Sequence, residues 1–145
     1  MVPVAPRRSY AQEVRDDDVS TAGMHPMYAA IGPFYDSDGA RAQLDGLDEL
    51  GLEAQRKSGA VLAMQAGDDS WLYPAWQFTG SGTVHPALVP VLEVLRVLDP
   101  WAAGVWLINP HPDLDGKSPR EALRKSVAPS VIVRLARHDV HTLTS

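Results

Sequence analysis

The chain has 145 residues, 45% of them hydrophobic, no cysteine and a formal net charge of -5. That is one domain's length of chain with enough apolar content for a core, and the missing thiols exclude disulfides, thiolate nucleophiles and cysteine-ligated zinc. No run approaches the ~18 apolar residues of a bilayer span and residues 1–18 lack the apolar stretch of a signal peptide, so the expectation is a cytoplasmic protein without membrane association.

The charge is unevenly placed. Residues 1–55 hold four basic and ten acidic side chains, 56–116 three and six, and 117–145 six and two. An acidic front and a basic rear argue against nucleic acid wrapped along the whole surface, and they leave the C-terminal segment able to meet an acidic partner.

Residues 1–31 show no sustained period and include the acidic run Asp16-Asp17-Asp18. They read as a flexible arm, with a short helix or partner-dependent order near 27–31. Gly32-Pro33 and Asp36-Ser37-Asp38-Gly39 are turn chemistry, with Phe34 and Tyr35 anchoring the arm to the core. Ala40, Leu44 and Leu47 then fall at helical spacing. Leu50, Ala54 and Lys57 continue along a second short helix that Ser58-Gly59 ends. The run 61–65 predicts a strand, 66–70 a turn and 71–73 the returning strand.

The aromatic run 73–78 reads as a set of core anchors; a base-stacking platform would need a cationic groove beside it. Gly80-Ser81-Gly82 is a turn. Over 86–98 Leu88, Val91, Leu92, Leu95 and Leu98 mark a helix that would serve as the spine of the C-terminal half. Asp99 as N-cap and Pro100 at the first helical position open another, which stacks Trp101, Val105 and Ile108 on one face. Asn109-Pro110 and His111-Pro112 stop it. Ser118, Pro119 and Glu121 form a capping box that restarts one. The last helix spans 127–137, with Ile132, Leu135 and Ala136 inward and Arg134 and Arg137 outward. A short polar tail follows from His138.

The constellations that would carry chemistry fail on spacing. Gly116-Lys117-Ser118 lacks the earlier glycine of a phosphate loop, since His111 stands there. Around Asp113 and Asp115 a calcium loop would have His111 and Ala122 at its two ends, where ligands are required. His138 and His141 would give a metal only two nitrogens. There is no Gly-x-Ser-x-Gly elbow, and Asp68-Asp69 sit together in a turn. The chain reads as a non-enzyme with no metal and no cofactor.

One stretch has a recognisable grammar. Trp106-Leu107, Asn109-Pro110-x-Pro112, Leu114-x-Gly116-x-Ser118-Pro119 and Ala122-Leu123 fall at fixed spacing. The run resembles the toxin-binding domain of the Xre/MbcA/ParS antitoxins. Tyr73-Pro74-Ala75-Trp76-Gln77-Phe78 and Gly32-Pro33-Phe34-Tyr35 resemble a subgroup of the same family, so the likeness covers roughly residues 30–138. The resemblance implies a mainly α architecture in three parts. These are the arm over 1–31, a reduced, degenerate winged helix-turn-helix-like region with a wing-like β-hairpin over 32–79, and a helical toxin-binding domain with a C-terminal tail over 80–145.

The function it implies is that of an antitoxin for a RES-type, NAD-degrading toxin, whose active site the C-terminal helices and tail would cover, as a homodimer or as a hetero-oligomer with the toxin. Arg120, Arg124, Arg134 and Arg137, with His138 and His141 of the tail, are the partner-binding candidates, because guanidinium forks pair bidentately with carboxylates. The alternative is a DNA-binding regulator, repressing its own operon through the helix-turn-helix-like half. Its recognition helix would be 48–57, where Asp48, Glu49 and Glu53 precede the first base and Gly51 weakens the helix. That leaves Gln55, Arg56 and Lys57 as DNA-contact candidates. The region reads as a scaffold that has kept the shape and lost the charge.

Overall fold

Turn chemistry sets the element boundaries. In the computed structural model, which describes residues 18–19 and 23–144, an aspartate, serine or histidine caps most helices at the residue before the first turn. The order is β1 (Asp18–Val19), α1 (Pro26–Ala29), β2 (Phe34–Tyr35), α2 (Ser37–Gln43), α3 (Glu49–Ser58), β3 (Met64–Gln65) and β4 (Trp71–Pro74). A 3-10 turn (Ala75–Gln77) leads to α4 (Val89–Leu95) and α5 (Pro100–Ile108). A second (Pro112–Leu114) leads to α6 (Pro119–Arg124) and α7 (Pro129–Thr144). The fold is mainly helical with a small antiparallel sheet.

The predicted stops and starts are present. Asp99 Oδ2 accepts from the Trp101 and Ala102 amides at 3.0 and 3.3 Å, and Ser118 Oγ accepts from Glu121 N at 3.0 Å. Gly59, at φ 82°, closes α3 with a left-handed turn that a side chain would strain. The hairpin pairs Met64 with Leu72 and Gln65 with Trp71. It does not project as a wing. The sheet order is β1-β2-β4-β3, so β4 is an inner strand with β2 on its other side.

Several expectations give way. The strand over 61–65 is a strand only at Met64–Gln65, yet Val61, Leu62 and Ala63 are buried. Their backbone therefore needs partners from outside a ladder. The helix over 86–98 is shorter, Val89–Leu95, with Leu88 buried just ahead of it. On α3 the buried residue is Leu52 while Leu50 is 75% exposed, because the inner face is set by Leu47 packing over Gly51. A Cβ at Gly51 would come within 2.6 Å of Leu47 Cδ1. On α5 Trp101, Val105 and Ile108 share a half-buried face, and the fully enclosed residues are Ala103, Gly104 and Leu107. A Cβ at Gly104 would meet Ile31 Cδ1 at 2.8 Å and Met64 Cε at 3.0 Å. Small residues let that face approach the core most closely.

Of the arm read over 1–31, residues 1–17 and 20–22 lie outside the described residues. The short helix near 27–31 is α1, and Ile31 after it is fully buried. One apolar cluster includes Ile31, Phe34, Leu52, Met64, Leu107 and Ile132, and it crosses residues 79 and 80 without a break. No helix among the described residues is long and apolar enough to cross a membrane.

Gln77 is the one buried polar side chain among the described residues. Its Oε1 accepts from Leu62 N at 2.8 Å, and its Nε2 donates to Leu62 O at 2.8 Å and to Pro74 O at 3.1 Å. Replacing Gln77 with leucine keeps the bulk and strands these backbone groups. At ~1–3 kcal/mol for each stranded buried group, Gln77→Leu is expected to lower stability in urea denaturation by roughly 3–5 kcal/mol.

Candidate functional site

The last helix is where the partner-binding candidates meet. It runs 16 residues, Pro129–Thr144, so the segment expected to be a polar tail is its continuation. Only Ile132 and Ala136 on it are fully enclosed, and it packs most extensively on α4. Arg134, Arg137, His138 and His141 are all exposed. They recur at i, i+3, i+4 and i+7, which places them in one stripe on the face opposite Ile132 and Ala136. The stripe is a ridge of two guanidiniums and two imidazoles that the fold does not cover.

Beside it lies an open groove between α5, α7, α1 and the loop 109–113. Val105, Trp106, Met27, Tyr28 and Leu143 form its apolar lining, and Asp99, Asp113 and His138 also border it. Met27 is 48% exposed, Tyr28 37% and Leu143 64%. Three large exposed apolar side chains brought together from the two ends of the chain mark an interaction surface more strongly than scattered ones do.

Asp139 holds the rim of this groove. Its Oδ2 accepts from Trp106 Nε1 at 2.8 Å and lies 2.9 Å from His111 Nε2. The Asp113 amide donates to His111 Nδ1 at 3.1 Å. A neutral ring that accepts at Nδ1 carries its proton on Nε2 and donates it to Asp139. Both ring nitrogens are thereby engaged, and the pair works as a brace between α7 and the proline-rich loop. Partial burial acts to raise the Asp139 pKa. The bonds from Trp106 and His111 and the nearby histidines outweigh it, and the net shift is below the usual carboxylate value. Periodicity gave no sign of this brace. The available signal was a histidine held between Pro110 and Pro112 in a chain with five histidines.

Arg120 and Arg124 stand apart from the α7 stripe. They line a small pocket with Trp76, His85, Leu88 and Leu123. The Arg120 guanidinium lies 5.1 Å from the Trp76 ring centroid. Trp76 itself is fixed by its indole, which donates to Ile31 O at 2.7 Å. The aromatic run 73–78 thus divides: Tyr73 and Phe78 are buried, whereas Trp76 faces a cation supplied by α6. Trp101 and Trp106 are half-buried with both indole N–H groups bonded, and Leu107 and Leu114 are buried.

The DNA-contact candidates lie on α3, away from these features. Arg56 Nη1 donates to the Tyr73 hydroxyl at 3.1 Å, and its guanidinium sits 4.2 Å from the Trp71 ring centroid. Lys57 Nζ is 3.0 Å from Glu53 Oε2. The Gln55 carbonyl accepts from Ala60 N and from Ser58 Oγ, both at 3.0 Å, at the helix end. Both cations are drawn onto the protein's own surface.

A depressed folded-state pKa gives stability that is complete above the unfolded carboxylate value, about 3.9, and is lost as pH falls through the lower folded value. Between pH 5 and pH 3 the wild type should therefore lose more Tm than Asp139→Asn, and the two melting curves should converge in acid. Parallel losses would show that the Asp139 charge does not stabilise the brace. No family model, no curated protein and no solved structure matches this chain.

Proposed function

We propose that the protein is an antitoxin-like binding module, which silences a RES-type, NAD-degrading toxin by docking α7 and the groove beside it over the toxin's active-site cleft. The observation that carries the reading is the two-sided character of α7. Its inner face is held by α4 and by the Asp139 brace, while its outer face presents Arg134, Arg137, His138 and His141 to solvent. A helix so fixed offers guanidinium forks in a set geometry, which reduces the ordering entropy lost on association. The adjoining groove supplies apolar contact through Tyr28, Trp106 and Leu143. In this reading the protein performs no chemistry, and the likeness of residues 106–123 to the antitoxin motif names the partner. The DNA-regulator alternative is the weaker reading, since Arg56 is held by Tyr73 and Trp71 and the exposed Lys57 pairs with Glu53.

Growth under co-expression with the RES-type toxin of the same genome tests this. Arg134→Glu with Arg137→Glu changes two exposed side chains, so circular dichroism and Tm should stay close to wild type. Protection should fall, and affinity in a pull-down should drop by about tenfold or more, from the loss of two charge-assisted contacts. Full protection by this double variant would remove the stripe from the interface. Leu143→Glu probes the groove separately and should weaken binding with little effect on stability, because that side chain is 64% exposed.

A further inference from the structure

The pocket at Trp76 has a chemistry of its own. Two guanidiniums, one helical turn apart on α6, converge on a cavity of about 100 Å³ walled by Trp76, Leu88 and Leu123, with His85 at its edge. Among the described residues no carboxylate forms an ion pair with either arginine. Glu121, on the same helix, is 3.6 Å from Lys125 instead. Partial burial first, and the Arg124 charge second, draw the Arg120 pKa below its ordinary value. An arriving anion would relieve that repulsion and accept from both guanidiniums. The apolar wall is preorganised, because the Trp76 indole is tied to Ile31 O. The Arg120 guanidinium already lies over that ring, 5.1 Å from its centroid and within cation–π range.

We infer that this pocket is a binding site for an anionic group, carboxylate or phosphate, carried on a single ring or side-chain-sized apolar body. The cavity, about 100 Å³, seats one ring-sized group beside the two guanidiniums. Arg120 and Arg124 hold the anion, and Trp76, Leu88 and Leu123 hold the apolar body. The site lies apart from the α7 stripe, and it stands whether or not the partner of that stripe is a toxin.

The test is a titration of the full chain, labelled with 15N, followed through its indole N–H signals. Phenyl phosphate carries both halves of the ligand, inorganic phosphate only the anion and benzyl alcohol only the ring. Phenyl phosphate should move the Trp76 indole signal saturably, with either half alone binding at least about tenfold more weakly. Arg120→Gln with Arg124→Gln should abolish that saturation, while the Trp71, Trp101 and Trp106 signals keep their positions and report an intact fold. Arg120→Lys with Arg124→Lys, which retains charge without the planar fork, should fall between the two. An acetylated Phe-Glu amide, with its Phe-Lys counterpart as control, separates the two sources of such a group. Tighter binding than phenyl phosphate assigns the site to an acidic protein segment, and weaker binding assigns it to a free small molecule. Saturation unchanged in the glutamine variant, equal affinity for inorganic phosphate, or no saturation with phenyl phosphate by about 10 mM would each overturn the assignment.

Discussion

The Gln77 amide stands where a strand partner would. Residues 61–63 are buried but lie outside any ladder, since β3 begins only at Met64. Backbone groups so placed must be paired or they cost about as much as the burial around them contributes. Gln77 bonds both the N–H and the C=O of Leu62 and also caps the Pro74 carbonyl. One side chain thus joins the irregular segment to the end of the inner strand. Val61, Leu62 and Ala63 can then face α4 and α5 at the centre of the molecule without strand geometry. α4 and α5 lie on the platform this creates, and α6 and α7 pack on them in turn.

The second constraint is close approach. Ile31 and Met64 both press toward the missing side chain of Gly104, and Trp76 reaches back to the Ile31 carbonyl. Residues early in the chain are therefore part of the surface on which α5 rests. Asp139 then ties α7 to α5 through Trp106 and to the proline-rich loop through His111. These links run in series from the core to the outermost helix. They give the cationic stripe a fixed orientation, although α7 itself encloses only Ile132 and Ala136.

How much of this could be read from residue order depends on the kind of signal. Caps and stops are local chemistry, so Asp99, Ser118, Gly59 and the 64–74 hairpin were legible. Faces were legible where large apolar residues repeat, as at Leu88, Val91, Leu92 and Leu95. On α5 periodicity picked out the half-buried face of Trp101, Val105 and Ile108 and passed over the enclosed one, because it weighs size, whereas the closest contact there favours Gly104 and Ala103. The continuation of α7 carried only a thin apolar signal, Val140 and Leu143 at helical spacing from Ala136. Once the preceding turns exist, each added residue needs only propagation, and the Thr142 and Thr144 hydroxyls bond back to the His138 and Val140 carbonyls at 3.1 and 2.7 Å. Of the candidate site, the arginines were legible as charge. Their division into a stripe and a pocket was not, because it depends on Trp76, which lies more than forty residues before Arg120.

Charge of opposite sign on the two sides of α7 bears on specificity. The stripe is basic, while Asp99 and Asp113 border the groove next to it, and His138 belongs to both. A partner docked across the helix as proposed would present acidic groups to one side and apolar or basic groups to the other. Sliding it by one helical turn, or reversing it, sets like charges against each other and leaves Leu143 and Tyr28 without apolar cover. Such a surface discriminates by register as well as by attraction. A uniformly basic helix, of the kind that tracks a phosphate backbone, would have no use for the acidic border. The pairing of the two signs is the feature on which the proposal of a folded protein partner with a cleft, over a nucleic acid, rests.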